Sequence, residues 1–252
     1  MNTWSEIASN ESHNMMWSKY QCLLQELSIN PKSNLNANLK PTTRSSEFHN
    51  YPEIKLTPND QNHGISLVET ILDRRTNRHM QRKEVSLQLL SNLLTLGYKR
   101  QDNKHRTAPS AGALYPIDIY VHCHDLQGPD EELHGDNLFF YDVEAGSLRL
   151  LNMPNHGTTL LEKAFVQKDV VQNSAIQMFF VVNLKDMISK YGEKGYQLSL
   201  IETGHIAQNF NLSATALKLN CVNISGINHQ ALNDLLLLDG NLQFVAYSML
   251  LG

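Results

Sequence analysis

The chain has 252 residues, 41% hydrophobic and 18% charged, which is enough apolar material for a sizeable core and excludes a disordered chain. A formal net charge of -4 and a pI near 6.2 supply no basic field for nucleic acid, so any anion site must be a local cluster of cations. Three cysteines (Cys22, Cys123 and Cys221) without a Cys-x-x-Cys pair exclude a disulfide framework and a thiolate zinc site.

The N-terminus has no basic stretch followed by an apolar run, and no apolar stretch approaches the ~20 residues that span a bilayer. A cytoplasmic protein without membrane contact is therefore expected. Residues 1–60 read as a polar arm rich in Asn, Ser and Thr, with one short amphipathic helix from Met15 to Leu24 and an extended stretch from Asn30 to Tyr51. Residues 61–252 read as the folded domain.

Within that domain, Leu67, Ile71 and Leu72 have helical spacing and lead into Asp73-Arg74-Arg75-Thr76-Asn77-Arg78. Ser86 to Gly97 reads as a helix closed by glycine. Thr107 to Pro116 is a loop of small residues, and Ile117 to Cys123 alternates as a half-buried strand does. Asn137–Asp142 and Leu148–Leu151 form a hairpin about Glu144-Ala145-Gly146-Ser147. Gln177 to Asn183 is an apolar run suited to a strand covered on both faces. From Tyr196 to Leu219 runs the longest helical signal, with Leu198, Ile201, His205, Gln208, Leu212 and Ala216 on the expected core face. A strand at Cys221–Ile224, a Ser225-Gly226 turn, a helix through Leu236 and a strand over Gln243–Met249 complete a mixed α+β layout, mainly antiparallel, around one long central helix.

Four segments could carry chemistry. Three guanidiniums within five residues (Arg74, Arg75 and Arg78) repel one another unless an anion neutralises them, and arginine suits bidentate phosphate contact. The small side chains of Ser110, Ala111, Gly112, Ala113 and Leu114 let the backbone approach a flat ligand. Lys190 beside Tyr191 offers a proton donor and acceptor before the long helix, and Ser225-Gly226 follows a strand with little side chain. His122 and His124 share one face of a strand, but no third ligand is evident, so no metal is expected. Rossmann, nucleophile-elbow and Walker loops are absent from the sequence.

In order and separation, these segments resemble the SagB/McbC-type dehydrogenases of the nitroreductase superfamily, from about Ile65 to Gly252. The supporting pieces are Asp73 to Arg78, Arg106 to Pro116, Lys190 to Tyr196, Glu202 to Asn209, and Ser225-Gly226-Ile227. The resemblance implies a nitroreductase-like fold, FMN as cofactor, and a homodimer with flavin at the subunit interface. It implies a precursor peptide as substrate, with a YcaO-type cyclodehydratase and a peptide-docking protein as partners. It assigns Arg74, Arg75 and Arg78 to the phosphate, with Thr76 and Asn77 beside the flavin. Ser110 to Leu114 are assigned to the isoalloxazine, and Asn209, Ser225 and Gly226 to the cofactor's surroundings. Related reductases usually have two glycines where this chain has Ser225-Gly226. Lys190 and Tyr191 match the pair assigned to catalysis. Aromatising a thiazoline or oxazoline removes two electrons and two protons; flavin is expected to take hydride, and Tyr191, activated by Lys190, or Lys190 itself, to take the proton. The alternatives are an NAD(P)H-dependent nitro- or quinone reductase of the same fold and a flavin-free scaffold of a complex.

Overall fold

The computed structural model describes residues 44–59, 65–102, 105–128, 133, 135–151 and 157–252. The helix expected over Met15–Leu24, and the arm up to residue 43, lie outside the described residues.

Among the described residues packing begins at Arg44, inside the stretch read as an arm. Arg44 is buried and donates to the Tyr120 hydroxyl at 2.7 Å, while the Phe48 ring lies 4.5 Å from that of Phe140. Strand β1 (Glu53–Lys55) then joins the main sheet. Helix α1 (Leu67–Asp73) is closed by a capping box: Ser66 Oγ accepts from the Glu69 amide, and the Glu69 carboxylate accepts from the Ser66 amide. Strand β2 (Val85–Ser86) leads into α2 (Leu87–Gly97), where Ser86 Oγ accepts from the Leu89 amide. Strands β3 (Ile117–Cys123), β4 (Leu126–Gln127), β5 (Asn137–Asp142) and β6 (Ser147–Leu151) follow. Then come α3 (Gly157–Ala164), α4 (Lys168–Asn173), β7 (Ile176–Asn183), α5 (Lys185–Tyr191) and α6 (Lys194–Ala216). The chain ends with β8 (Cys221–Ile224), α7 (His229–Leu236) and β9 (Gln243–Leu251).

Seven strands form one sheet in the order β1-β6-β5-β3-β7-β9-β8, every neighbouring pair antiparallel. The short β2 and β4 pair in parallel. The expected α+β architecture is therefore the observed one. Helices cover both faces of the central strands. On one face Ile117, Ile119 and Val121 of β3 and Met178, Phe180 and Val182 of β7 pack with Leu90 and Leu94 of α2 and Ile206 and Phe210 of α6. On the other, Tyr120, Phe179 and Val181 pack with Leu161 and Phe165 near α3 and with Leu232 and Leu235 of α7. Strand β3 is thus buried on both faces apart from half-buried Asp118, instead of alternating between core and solvent.

Helix α6 is 23 residues long, about 35 Å. Its core face differs from the one expected. Ile201, His205 and Gln208 are exposed, and the buried stripe is Ser199, Glu202, Thr203, Ile206, Phe210, Ser213 and Ala214. Small side chains, not aliphatic ones, let this helix sit close to its neighbours. Gly97 shows how close: a Cβ there would collide with the Phe210 ring, so the end of α2 must be glycine for α6 to pass. Among the described residues, no helix is long and apolar enough to cross a membrane.

Candidate functional site

The residues singled out in the sequence fall into two groups. The first gathers where β3 begins, at the Pro116–Asn183 end of the sheet. Ser110 to Leu114 form a turn, with Ala111–Ala113 in 3-10 conformation and Gly112 at φ +61°. Ser110 Oγ accepts from the Tyr115 amide at 2.8 Å, which closes the turn on itself. Gly112 and Ala113 face solvent and Leu114 anchors the turn in the core.

Two anchors hold the base of this loop. Asn209 of α6 donates from Nδ2 to the Gly97 and Thr107 carbonyls, at 3.3 and 3.2 Å. Its role is thus to tie α2 and the loop to the long helix. Arg106 lies between the Tyr98 and Tyr115 rings, 5.1 and 4.6 Å from their centroids, and donates to the Tyr98 hydroxyl and the Glu144 carboxylate.

Lys190 and Tyr191 end helix α5. Helix termination turns both side chains onto the small-residue turn. Lys190 Nζ donates to the Gly112 carbonyl at 3.4 Å and sits 5.5 Å from the Tyr191 ring centroid. A Cβ on Gly112 would strike both Lys190 Nζ and the Tyr191 hydroxyl. Loop and Lys-Tyr pair, 78 residues apart in sequence, therefore form one surface.

Beneath the turn lies Glu202, which the sequence reading left without a role. It is buried on α6, and among the described residues neither carboxylate oxygen completes a hydrogen bond. Burial pushes its pKa up to about 7; the Ser110 hydroxyl, Arg106 and the Ala111 amide pull the other way and lose. Its signal was spacing: Glu202 stands four residues before buried Ile206, on the true core stripe of α6.

The second group lies where β8 begins. The Asn77 amide donates to the Cys221 carbonyl at 3.0 Å, and Asn77 Nδ2 donates to Asn220 Oδ1 at 2.6 Å. Asn77 is thus a tether for the segment after α1. Cys221 pairs with Leu251, which pairs with Ile176, which pairs with Cys123, so this is the opposite end of the sheet from the first group. Arg74 is half-buried, and Arg75, Thr76 and Arg78 are exposed. No acidic side chain pairs with Arg74, Arg75 or Arg78 among the described residues. Arg75 instead donates to the Leu72 and Arg74 carbonyls at 2.5 and 2.9 Å. Three cations without counter-charge fit an anionic group such as a phosphate. At the far end of β8, exposed Ser225 and Gly226 pack on the segment after α3, where the Gly226 carbonyl accepts from the Val166 amide.

Comparison with known proteins fits this layout. The profile of the nitroreductase family matches residues 71–252. A protein of Methanocaldococcus jannaschii that carries the nitroreductase name is 29% identical over 173 residues, covering 68% of this chain and 84% of that one. The microcin B17-processing protein McbC of Escherichia coli is 23% identical over 140 residues, 55% of this chain and 51% of McbC, so this match spans about half of that relative. Among solved structures, the E. coli microcin synthetase McbBCD complex with truncated pro-MccB17 bound superposes with a TM-score of 0.60 at 16% identity, over 100% of this chain and 97% of that one. With the family profile spanning well over half of its length, this chain belongs to the nitroreductase family.

Proposed function

We propose that this nitroreductase-family oxidoreductase is an FMN-dependent dehydrogenase that converts thiazoline or oxazoline rings of a ribosomally made precursor peptide into thiazoles or oxazoles. Its partners in this reading are a YcaO-type cyclodehydratase and a peptide-docking protein. The observation that carries it is the Lys190–Tyr191 pair lying against Gly112 on the small-residue turn. A reductase fed by a nicotinamide needs no such pair of proton-transfer groups beside the ring site, whereas removing a proton from an azoline carbon does. The likeness to McbC, and to a complex holding a peptide, supports the same substrate class.

FMN, when bound, supplies the two-electron acceptor. Arg74, Arg75 and Arg78 would hold its phosphate, and the backbone of Ala111 to Ala113 would lie along its ring. Those two groups sit at opposite ends of the sheet in one chain, which supports a homodimer in which each site takes one group from each protomer. Asn77 and Asn209 act as positioning residues for the two halves. Tyr191, with Lys190 Nζ 5.5 Å from its ring centroid, is the base that takes the substrate proton; Lys190 serves as base in the alternative assignment. Loss of hydride and proton together leaves the aromatic ring two hydrogens lighter.

The test is to purify the protein, record its absorbance, and supply azoline-bearing peptide. The reading expects a flavin spectrum and a two-dalton loss per ring by mass spectrometry. Lys190→Ala and Tyr191→Phe should keep the flavin and slow oxidation by roughly 10²- to 10⁴-fold. Wild-type rates in both variants would overturn the assignment. A second reading, an NAD(P)H-dependent nitro- or quinone reductase, is favoured by the M. jannaschii relative. It expects nicotinamide consumption with a small aromatic acceptor and no change to the peptide.

A further inference from the structure

We propose that His122, His124 and Asp136 form a binding site for one divalent transition-metal cation of the zinc type. The site lies at the Cys123 end of β3, roughly 17 Å along the strand from Ile117 and the small-residue turn, and is independent of the flavin reading. Two histidines spaced by one residue project to the same side of the chain. The antiparallel pairing of β5 with β3, in which Asn137 stands opposite Cys123, brings Asp136, just before β5, beside them. One donor atom from each of the three residues falls within 4.8 Å of the other two.

Hydrogen bonding sets which atoms are available. Gln177 faces His122 across the β3–β7 register. Its Nε2 donates to Ser174 Oγ at 2.6 Å and to the Ser174 carbonyl at 3.2 Å, so its Oε1 must be the atom turned to His122 Nδ1. A carbonyl oxygen accepts, hence His122 Nδ1 carries the hydrogen and Nε2 carries the lone pair. This is the arrangement in which an outer hydrogen bond orients a ligating imidazole. His122 is fully buried, and among the described residues its Nε2 has no hydrogen-bond partner. A lone pair in that position is costly to leave unsatisfied, and a cation satisfies it.

His124 is buried too, with Nδ1 2.5 Å from Asp136 Oδ1 and with an unpartnered Nε2. His122 Nε2 lies 3.9 Å from the same Asp136 oxygen. Donors on one tetrahedral zinc ion stand about 3.3 Å apart. The two observed separations bracket that value, and the three donor atoms, all within 4.8 Å of one another, would draw together by roughly 1–1.5 Å at most to hold the ion. Coordination through His124 Nδ1 requires the hydrogen shared with Asp136 to leave that nitrogen, for Nε2 or for solvent. Arg82 Nη2, 3.6 Å from Asp136 Oδ1, balances part of the carboxylate's charge in the metal-free chain. Three protein donors of two imidazoles and one carboxylate suit zinc and its neighbours, with water in the fourth position. The ion would clamp the connection into β5 onto the edge of β3.

The experiment strips the full-length protein, flavin retained, with a chelator and titrates zinc chloride by calorimetry. One equivalent is expected. Asp136→Asn, an exposed change, should weaken binding roughly 10- to 100-fold. His105→Gln, which breaks the separate exposed His105–Asp102 pair, should leave it unchanged. X-ray absorption at the zinc edge of the loaded wild type needs no variant and should show two imidazoles. No saturable binding, equal affinity in Asp136→Asn, loss of binding in His105→Gln, or fewer than two imidazoles would each overturn the site.

Discussion

The Lys190 ammonium donates to the Gly112 carbonyl at 3.4 Å, and that contact helps tie the end of α5 to the turn before β3. Gly112 is in the left-handed region at φ +61°, and its missing side chain is what lets Lys190 and Tyr191 close on it. Gly146 offers a matched control, with φ +63° and nothing within 4 Å of a Cβ. Gly146→Ala should therefore cost only the backbone strain, about 1 kcal/mol. Gly112→Ala should cost that and, in addition, displace Lys190 and Tyr191. Urea unfolding of both variants, with turnover measured alongside, checks this. Equal stability loss and equal turnover in the two would mean that the contact with Gly112 does not organise the pair.

The arginine cluster carries the second prediction. Among the described residues no acidic side chain pairs with Arg74 or Arg78, which leaves their guanidiniums to an anion. A charge-assisted hydrogen bond contributes about 1.5–3 kcal/mol, which corresponds to roughly 10- to 100-fold in affinity. Arg74→Ala and Arg78→Ala should each weaken FMN binding by that factor in a fluorescence titration of stripped protein. Lys168→Ala, an exposed cation on α4, should not. Undiminished FMN affinity in both arginine variants would remove the phosphate assignment.

The third concerns the second protomer. Helix α1 turns Leu67, Val68, Ile71 and Leu72 to solvent, each more than half exposed, although its capping box fixes the helix firmly. Four large apolar side chains on one short helix form a face that another chain can cover. Ile71→Glu places a charge in that face. It should shift the protein from dimer to monomer in light scattering and release FMN at the same time, because in the proposed homodimer each site takes one group from each protomer. A monomer that keeps its flavin would contradict the shared site.

The antiparallel hairpin, the buried strand read over Gln177–Asn183 and the helix ending at Gly97 were legible in the sequence because their signals are local: turn chemistry, apolar runs and a closing glycine. The face of α6 was not. Ile201 was read on the core face and is exposed, while its neighbour Glu202 is buried, because contact with α2 rewards small residues over aliphatic ones. Lys190 and Tyr191 were legible as a pair, but their seat against Gly112 depends on where α5 stops. Asp136 could not be read as a partner of His122 and His124, since the link runs through a chain reversal that carries no spacing rule. Local order is written in neighbouring residues; convergence is written in the topology.

Glu202 yields the last prediction, and its sign follows from which state holds the proton. Its pKa rises from an ordinary 4.5 to about 7 in the folded chain, first through desolvation. The folded state therefore binds the proton more tightly than the unfolded one. That contribution is fully present below about pH 4.5 and is lost as pH rises through 7. The difference is worth about 3 kcal/mol between pH 4.5 and 8. Glu202→Gln keeps the shape and removes the titration. Its stability in urea should match the wild type near pH 5 and exceed it near pH 8 by up to about 3 kcal/mol. Above pH 7 the wild-type carboxylate is charged beneath Ser110 and Ala111, so the loop against which the ring is expected to lie should also loosen in the wild type and not in the variant. Hydrogen exchange of the Ala111 to Leu114 amides at pH 6 and pH 8 reads this directly. Parallel stability curves for the two proteins across that range would show that the buried carboxyl does not titrate where its surroundings put it.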